Sequence, residues 1–178
     1  MRLFVSVAVP EVDVEGARIG GPEAPAHLTV LFLGEVPAER VGPIAERFRD
    51  SVRSQAPFPL ELAGVGVFPN LDRPRVAWIG VRAGAAELGA VHDRLVAACR
   101  ELAVAVDDRP FVPHLTLRRL RGPKDIDRAR RWVAELGAKE FGATRVTELE
   151  LKESLLGGGP VVHRTLARLP LEGTSATG

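Results

Sequence analysis

The chain has 178 residues, 46% of them hydrophobic and 26% charged, with a formal net charge of +1. That suffices for one domain, or two closely packed lobes, around a substantial core. It excludes a global field that would draw the protein to DNA or anionic membranes, so any nucleic-acid contact has to come from a local basic patch. The single cysteine, Cys99, excludes an intrachain disulfide and a cysteine-built zinc site, and suits a reducing cytoplasm. No run approaches the roughly 20 apolar residues of a membrane span.

Residues 2–9 (RLFVSVAV) are rich in Val and read as a buried first strand rather than a signal peptide. Residues 10–26 hold six Pro or Gly residues and read as a loop, with one helical turn at 12–18. A second strand follows at 27–33 (HLTVLFL), ended by Gly34. Residues 37–54 place Val41, Ile44, Ala45, Phe48 and Val52 at helical spacing. Strands are predicted at 58–68 and 75–82, a long helix at 85–104 and a turn at 107–110. A strand at 114–120 and a helix at 125–136 come next. One alternating strand at 144–155, a Gly-rich turn at 157–160, a last strand at 161–169 and a frayed tail at 172–178 complete the chain.

An internal repeat emerges. The first half runs strand, loop, His-Leu-Thr strand, helix, strand. The second runs strand, helix, His-Leu-Thr strand, helix, strand. Pseudo-twofold folding of such a duplication sets one histidine from each half across a shared cleft.

The informative residues are His27-Leu28-Thr29-Val30 and His114-Leu115-Thr116-Leu117. In a strand, positions i and i+2 share a face, so each motif projects an imidazole and a hydroxyl from a rigid element while the apolar residues pack behind. An imidazole with a reference pKa of roughly 6.5 serves as acid or base near neutrality. The hydroxyl donates to a phosphate oxygen. Two facing units therefore make a phosphate clamp suited to in-line displacement, with no metal required. A third match, His163-Arg164-Thr165, has a charged middle residue and no equivalent place in the repeat, so it reads as a rim or structural residue. His92 reads as solvated, and Cys99, Trp78 and Trp132 as core. Of the basic run after the second motif, strict alternation puts Arg118, not Arg119, on the face of His114 and Thr116.

These motifs, with the opening RLFVSVAVP, HLTVLFLGEV, FPN followed by RVAWIGV, FVPHLTLRRL and the closing ESLLGGGPVVHRTLARLPL, resemble the RNA 2′,3′-cyclic phosphodiesterases. That family is also known as 2′-5′ RNA ligases and lies within the two-histidine (2H) phosphoesterase superfamily. The resemblance runs from Arg2 to about Leu171. It implies an α+β fold, bilobal and pseudo-twofold, in which two antiparallel sheets with outer helices flank a central cleft, all in one domain. It implies hydrolysis of a terminal 2′,3′-cyclic phosphate to a 2′-phosphate with no metal or nucleotide cofactor. His27 and His114 then form the catalytic pair, as acid and base respectively, although a pseudo-symmetric site looks alike from both sides. Thr29 and Thr116 bind substrate, and the family's arginine five residues after the second histidine falls on Arg119. Carrying Arg119 ahead of Arg118 requires a bulge or twist in that strand.

Three departures stand out. The helix usual before the first motif is missing from residues 10–26. Leu31 takes the place of a basic residue, which weakens phosphate attraction on that side. His163 occupies the place of a usual tyrosine and joins the substrate-binding set. The expected partners are RNA ends or small cyclic nucleotides, for a monomeric cytoplasmic enzyme. The alternatives are other cyclic or 2′-5′ linked nucleotides at the same site, 2′-5′ ligation, or a non-catalytic nucleotide-binding module.

Overall fold

The branched run RLFVSVA forms β1 (Arg2–Ala8), buried from Leu3 to Val7 as an inner strand must be. In this computed structural model residues 1–9, 11–14, 17–19, 26–107, 109–155 and 162–174 are described. The predicted turn at 157–160 and the end of the predicted tail lie outside them. Among the described residues of the predicted turn at 12–18 there is no helical turn. Two short antiparallel strands, β2 (Val12–Val14) and β3 (Ala17–Ile19), stand there instead. Val12 and Val14 are buried and Asp13 is exposed, which is the period-2 pattern of β-branched strand residues.

β4 (His27–Glu35) leads through a single tight helical turn at Ala38–Arg40 into α1 (Val41–Val52), which buries Ile44, Ala45, Phe48 and Val52. β5 (Phe58–Phe68) and β6 (Val76–Ala83) pair directly. α2 (Ala85–Glu101) buries Leu88, Val91, Leu95, Ala98 and Cys99, and burial pushes the Cys99 thiol up to about 11, so it is a core residue and no nucleophile. β7 (His114–Arg119) is followed by α3 (Pro123–Leu136), with Pro123 suited to a first helical turn and Trp132 fully buried.

The predicted single strand at 144–155 is two. β8 (Glu140–Val146) and β9 (Glu148–Leu155) belong to different sheets, and Thr147 lies between them. The apolar phase slips there, since Val146 and Leu149 are three apart while Leu149 and Leu151 are two apart. β10 (Val162–Pro170) closes the fold.

Both four-stranded sheets are antiparallel, in the orders β10-β9-β1-β4 and β7-β6-β5-β8. The repeat survives with an exchange. The third strand of the first half, β5, pairs with β6 of the second half, and β9 pairs with β1 of the first. Each His-Leu-Thr strand is thereby an edge strand, β4 in one sheet and β7 in the other, and the two edges lie alongside each other. The architecture is the two-sheet α+β arrangement expected, with three α-helices among the described residues. Among the described residues no helix is long and apolar enough to cross a membrane.

Candidate active site

Two edge strands build the site, and the same irregularity shapes both. In β7, His114 pairs with Gly80 and Thr116 with Trp78, but Arg118 pairs with Ala77 and Arg119 with Val76. Leu117 is the extra residue of a β-bulge, which reverses the alternation after it. Arg119 therefore shares a face with His114 and Thr116. Arg118 falls on the face of the buried Ala77, and its Nε lies 3.2 Å from Asp125 of α3. Strict alternation thus fails at Leu117.

β4 carries the same device. His27 pairs with Ala8 and Thr29 with Ser6, Val30 is skipped, and Phe32 pairs with Phe4. His27, Thr29 and Phe32 share the cleft face. Leu31 pairs with Val5 on the core face and is 5% exposed, so the position expected to weaken phosphate attraction does not face the cleft. The place that Arg119 holds in one half is held in the other by Phe32, 57% exposed.

Aromatic rings set both imidazoles. The His27 ring lies 5.4 Å from Phe4 and 4.9 Å, edge to face, from His163. His163, though exposed, packs against His27, which fits the structural of its two expected roles. It stands on β10 and β4 is the opposite edge of that sheet, so the sheet curls enough to bring its two edges together over Phe4. Burial, and then the Lys152 ammonium, push the His163 imidazole below its ordinary value. Lys152 in turn pairs with Glu150 at 2.8 Å, and Thr165 donates to that carboxylate at 3.2 Å. Register puts Glu150 and Lys152 opposite Ser6 and Phe4, on the cleft face.

His114 is flanked by Phe68 at 5.0 Å and Trp78 at 6.4 Å. Trp78 is therefore not core, unlike Trp132. Its indole lies across Gly66, where an added Cβ would stand 2.2 Å from the ring, so only glycine permits the placement. His114 Nδ1 is 2.7 Å from the carbonyl oxygen of Val112. A carbonyl only accepts, so Nδ1 carries the hydrogen and Nε2 of the neutral ring keeps its lone pair. The preceding residue, Phe111, stacks on His92 of α2 at 4.5 Å with planes 5° apart, which anchors the segment supplying that carbonyl. His92 is packed, not solvated as expected. Among the described residues no three His, Cys, Asp or Glu side chains gather to hold a metal.

The sequence motifs point to His27, Thr29, His114 and Thr116, but not to Phe4, Phe32, Phe68, Trp78 or the Glu150–Lys152 pair. For the last, the signal was available in the charged-apolar alternation of ELELKES.

The sequence profile of the 2′-5′ RNA ligase superfamily matches residues 15–155. Among curated relatives, proteins named RNA 2′,3′-cyclic phosphodiesterase from Aeropyrum pernix and Archaeoglobus fulgidus are each 35% identical to this chain. The first match covers 79% of this chain and 78% of the relative, the second 93% and 98%. Among solved structures, a Thermus thermophilus protein superposes with a TM-score of 0.75 at 28% identity, over 98% of this chain and 100% of that one. Escherichia coli LigT complexed with 3′-AMP gives 0.71 at 27% identity, over 96% and 97%. On sequence and fold alike, the chain belongs to the 2′-5′ RNA ligase superfamily.

Proposed function

We propose that this cleft hydrolyses the terminal 2′,3′-cyclic phosphate of an RNA end, or of a small cyclic nucleotide, to a 2′-phosphate, with His27 and His114 as the acid–base pair and no metal. The observation that carries the reading is the doubling of the site. Each half presents His and Thr on the cleft face of an edge strand, with a bulge three residues after the histidine, and the two edges run side by side. The names of the curated relatives and the 3′-AMP bound by LigT agree with a nucleotide phosphate as substrate.

His114 Nε2, left with its lone pair by the Val112 carbonyl, takes a proton from water as the oxygen attacks phosphorus. The bond from phosphorus to the 3′ oxygen breaks on the opposite side, and His27 donates the proton that this oxygen needs. The products are a 2′-phosphate and a free 3′ hydroxyl. His27 is regenerated by proton exchange with solvent, as is His114. Thr29, Thr116 and Arg119 bind the non-bridging oxygens, where charge is greatest. Exposed Phe32 offers its ring to a base.

The test is an RNA oligonucleotide ending in a 2′,3′-cyclic phosphate, incubated with chelator-treated enzyme. The expected product is the 2′-phosphate, formed at the rate of untreated enzyme. A 3′-phosphate product, or activity that returns only with an added divalent cation, contradicts the reading.

A further inference from the structure

The two halves of the cleft hold their histidines by different means. His114 is fixed by a backbone carbonyl, that of Val112. His27 has a second imidazole, His163, edge to face against it at 4.9 Å, with Phe4 packed against both rings. When one imidazole of so close a pair is charged, the other is held back from charging. A cleft that needs a protonated acid at His27 therefore depends on which of the two rings takes the proton.

The cleft face of the sheet supplies a cation at that corner. Ser154 is opposite His163 and Lys152 is opposite Thr165, so Lys152 and His163 are diagonal neighbours on one face, a separation that a long side chain spans. The Ser154 hydroxyl, 3.4 Å from His163 Nδ1, steadies the ring. Lys152 is 8% exposed, and its Nζ is fixed 2.8 Å from Glu150, whose carboxylate also accepts from Thr165. Arg164 pairs with Glu153 on the opposite face, and Arg168 pairs with Glu148. Arg2 stands at the start of β1 opposite Glu35, which the N-terminal ammonium also approaches. The middle of β1 brings only Phe4 and Ser6 to this face, and β7 presents His114 and Arg119 across the cleft. Burial first, and then the Lys152 charge, keep the His163 ring neutral near pH 7.

We propose that Lys152, a diagonal neighbour of His163 and locked there by Glu150, is a positioning residue that reserves the acid proton of this corner for His27. The proposal rests on the reading of His27 as the general acid of a cyclic-phosphate site, since an acid has to enter the reaction protonated. It makes the two halves chemically unequal. The Val112 carbonyl leaves His114 Nε2 with its lone pair, while the buried ammonium directs the proton to His27.

The experiment makes Lys152→Gln in the native chain and in a His163→Phe chain. Glu150→Gln/Lys152→Gln is made in both as well, so that a result exists if the lone buried carboxylate prevents folding. The imidazole C–H signals of His27 and His163 are followed by NMR across pH, assigned through His27→Ala and His163→Phe, and kcat/KM is measured on a 2′,3′-cyclic mononucleotide. In the native chain His27 is expected to titrate in one step, above His163. After Lys152→Gln the two rings share one proton, so the His27 titration splits into steps about one unit or more apart and kcat/KM falls roughly three- to tenfold. The Glu150→Gln/Lys152→Gln variant shows the same change to a smaller degree. In the His163→Phe chain neither Lys152 variant splits the titration, and kcat/KM stays that of His163→Phe itself. An equal loss in both chains means that Lys152 holds structure and not the proton, and overturns the proposal. So does a His27 titration that stays unsplit in every variant, or a native His163 that titrates above His27. A split that His163→Phe abolishes, in a protein whose native form hydrolyses no cyclic phosphate, instead overturns the cyclic-phosphate reading and leaves the proton placement standing.

Discussion

Replacing His27 or His114 by alanine is expected to lower turnover of a terminal cyclic phosphate by about 10²–10⁴-fold, the usual contribution of one general acid or base. The fold should survive either change. Both histidines stand on edge strands with their side chains on the cleft face, while the cores behind them are sealed by Leu28 and Leu115, 0% and 2% exposed. His27→Ala gives up ring contacts with Phe4 and His163, and His114→Ala gives up its bond to Val112 and its contacts with Phe68 and Trp78. Each is a loss at a partly exposed site, so the thermal transition should stay near the native one. On the proposed mechanism the two groups act on one transition state, so the double variant is expected to lose little more than either single variant. Retention of near-native hydrolysis by either single variant would remove that histidine from the mechanism.

Arg119→Ala should lower kcat/KM by roughly 10–100-fold, the range of a charge-assisted hydrogen bond of about 1.5–3 kcal/mol. Arg118→Ala should change it by no more than a few-fold. The difference comes from one bulged residue, Leu117, which turns Arg119 toward His114 and leaves Arg118 to Asp125. Arg119→Lys should recover part of the loss, because it restores the charge without the planar fork. Steady-state kinetics on a cyclic mononucleotide reads all three. A larger effect at Arg118 than at Arg119 would mean that the register places the wrong arginine at the phosphate.

How far the sequence carried the account depends on the range of the interactions involved. The helices were legible because their apolar faces repeat locally, as with Ile44, Phe48 and Val52 or Leu88, Val91 and Leu95. The paired His-Leu-Thr strands were legible because each motif fixes its own face. The bulges at Val30 and Leu117 were not. A bulge is a property of two paired strands, and nothing in HLTV or HLTL marks which residue will be skipped. Leu31 was misplaced for that reason, and alternation named Arg118 first. The contact of His163 with His27 was hidden because it depends on the curl of a whole sheet between two edge strands far apart in sequence. Trp78 looked like core because its neighbours in sequence are apolar, whereas the space it occupies is made by Gly66 on the adjacent strand. The β8–β9 break and the Val12–Val14 strand were legible in principle, from a phase slip and a short alternation.

The most direct test of the two-histidine cleft is the pH dependence of kcat/KM on a cyclic mononucleotide for the native protein and the two alanine variants. The native profile should be bell-shaped, with a base that must be neutral limiting the acid side and an acid that must be protonated limiting the alkaline side. His114→Ala should flatten the acid limb and leave the alkaline one, and His27→Ala should do the reverse. Both limbs persisting in both variants would contradict the account.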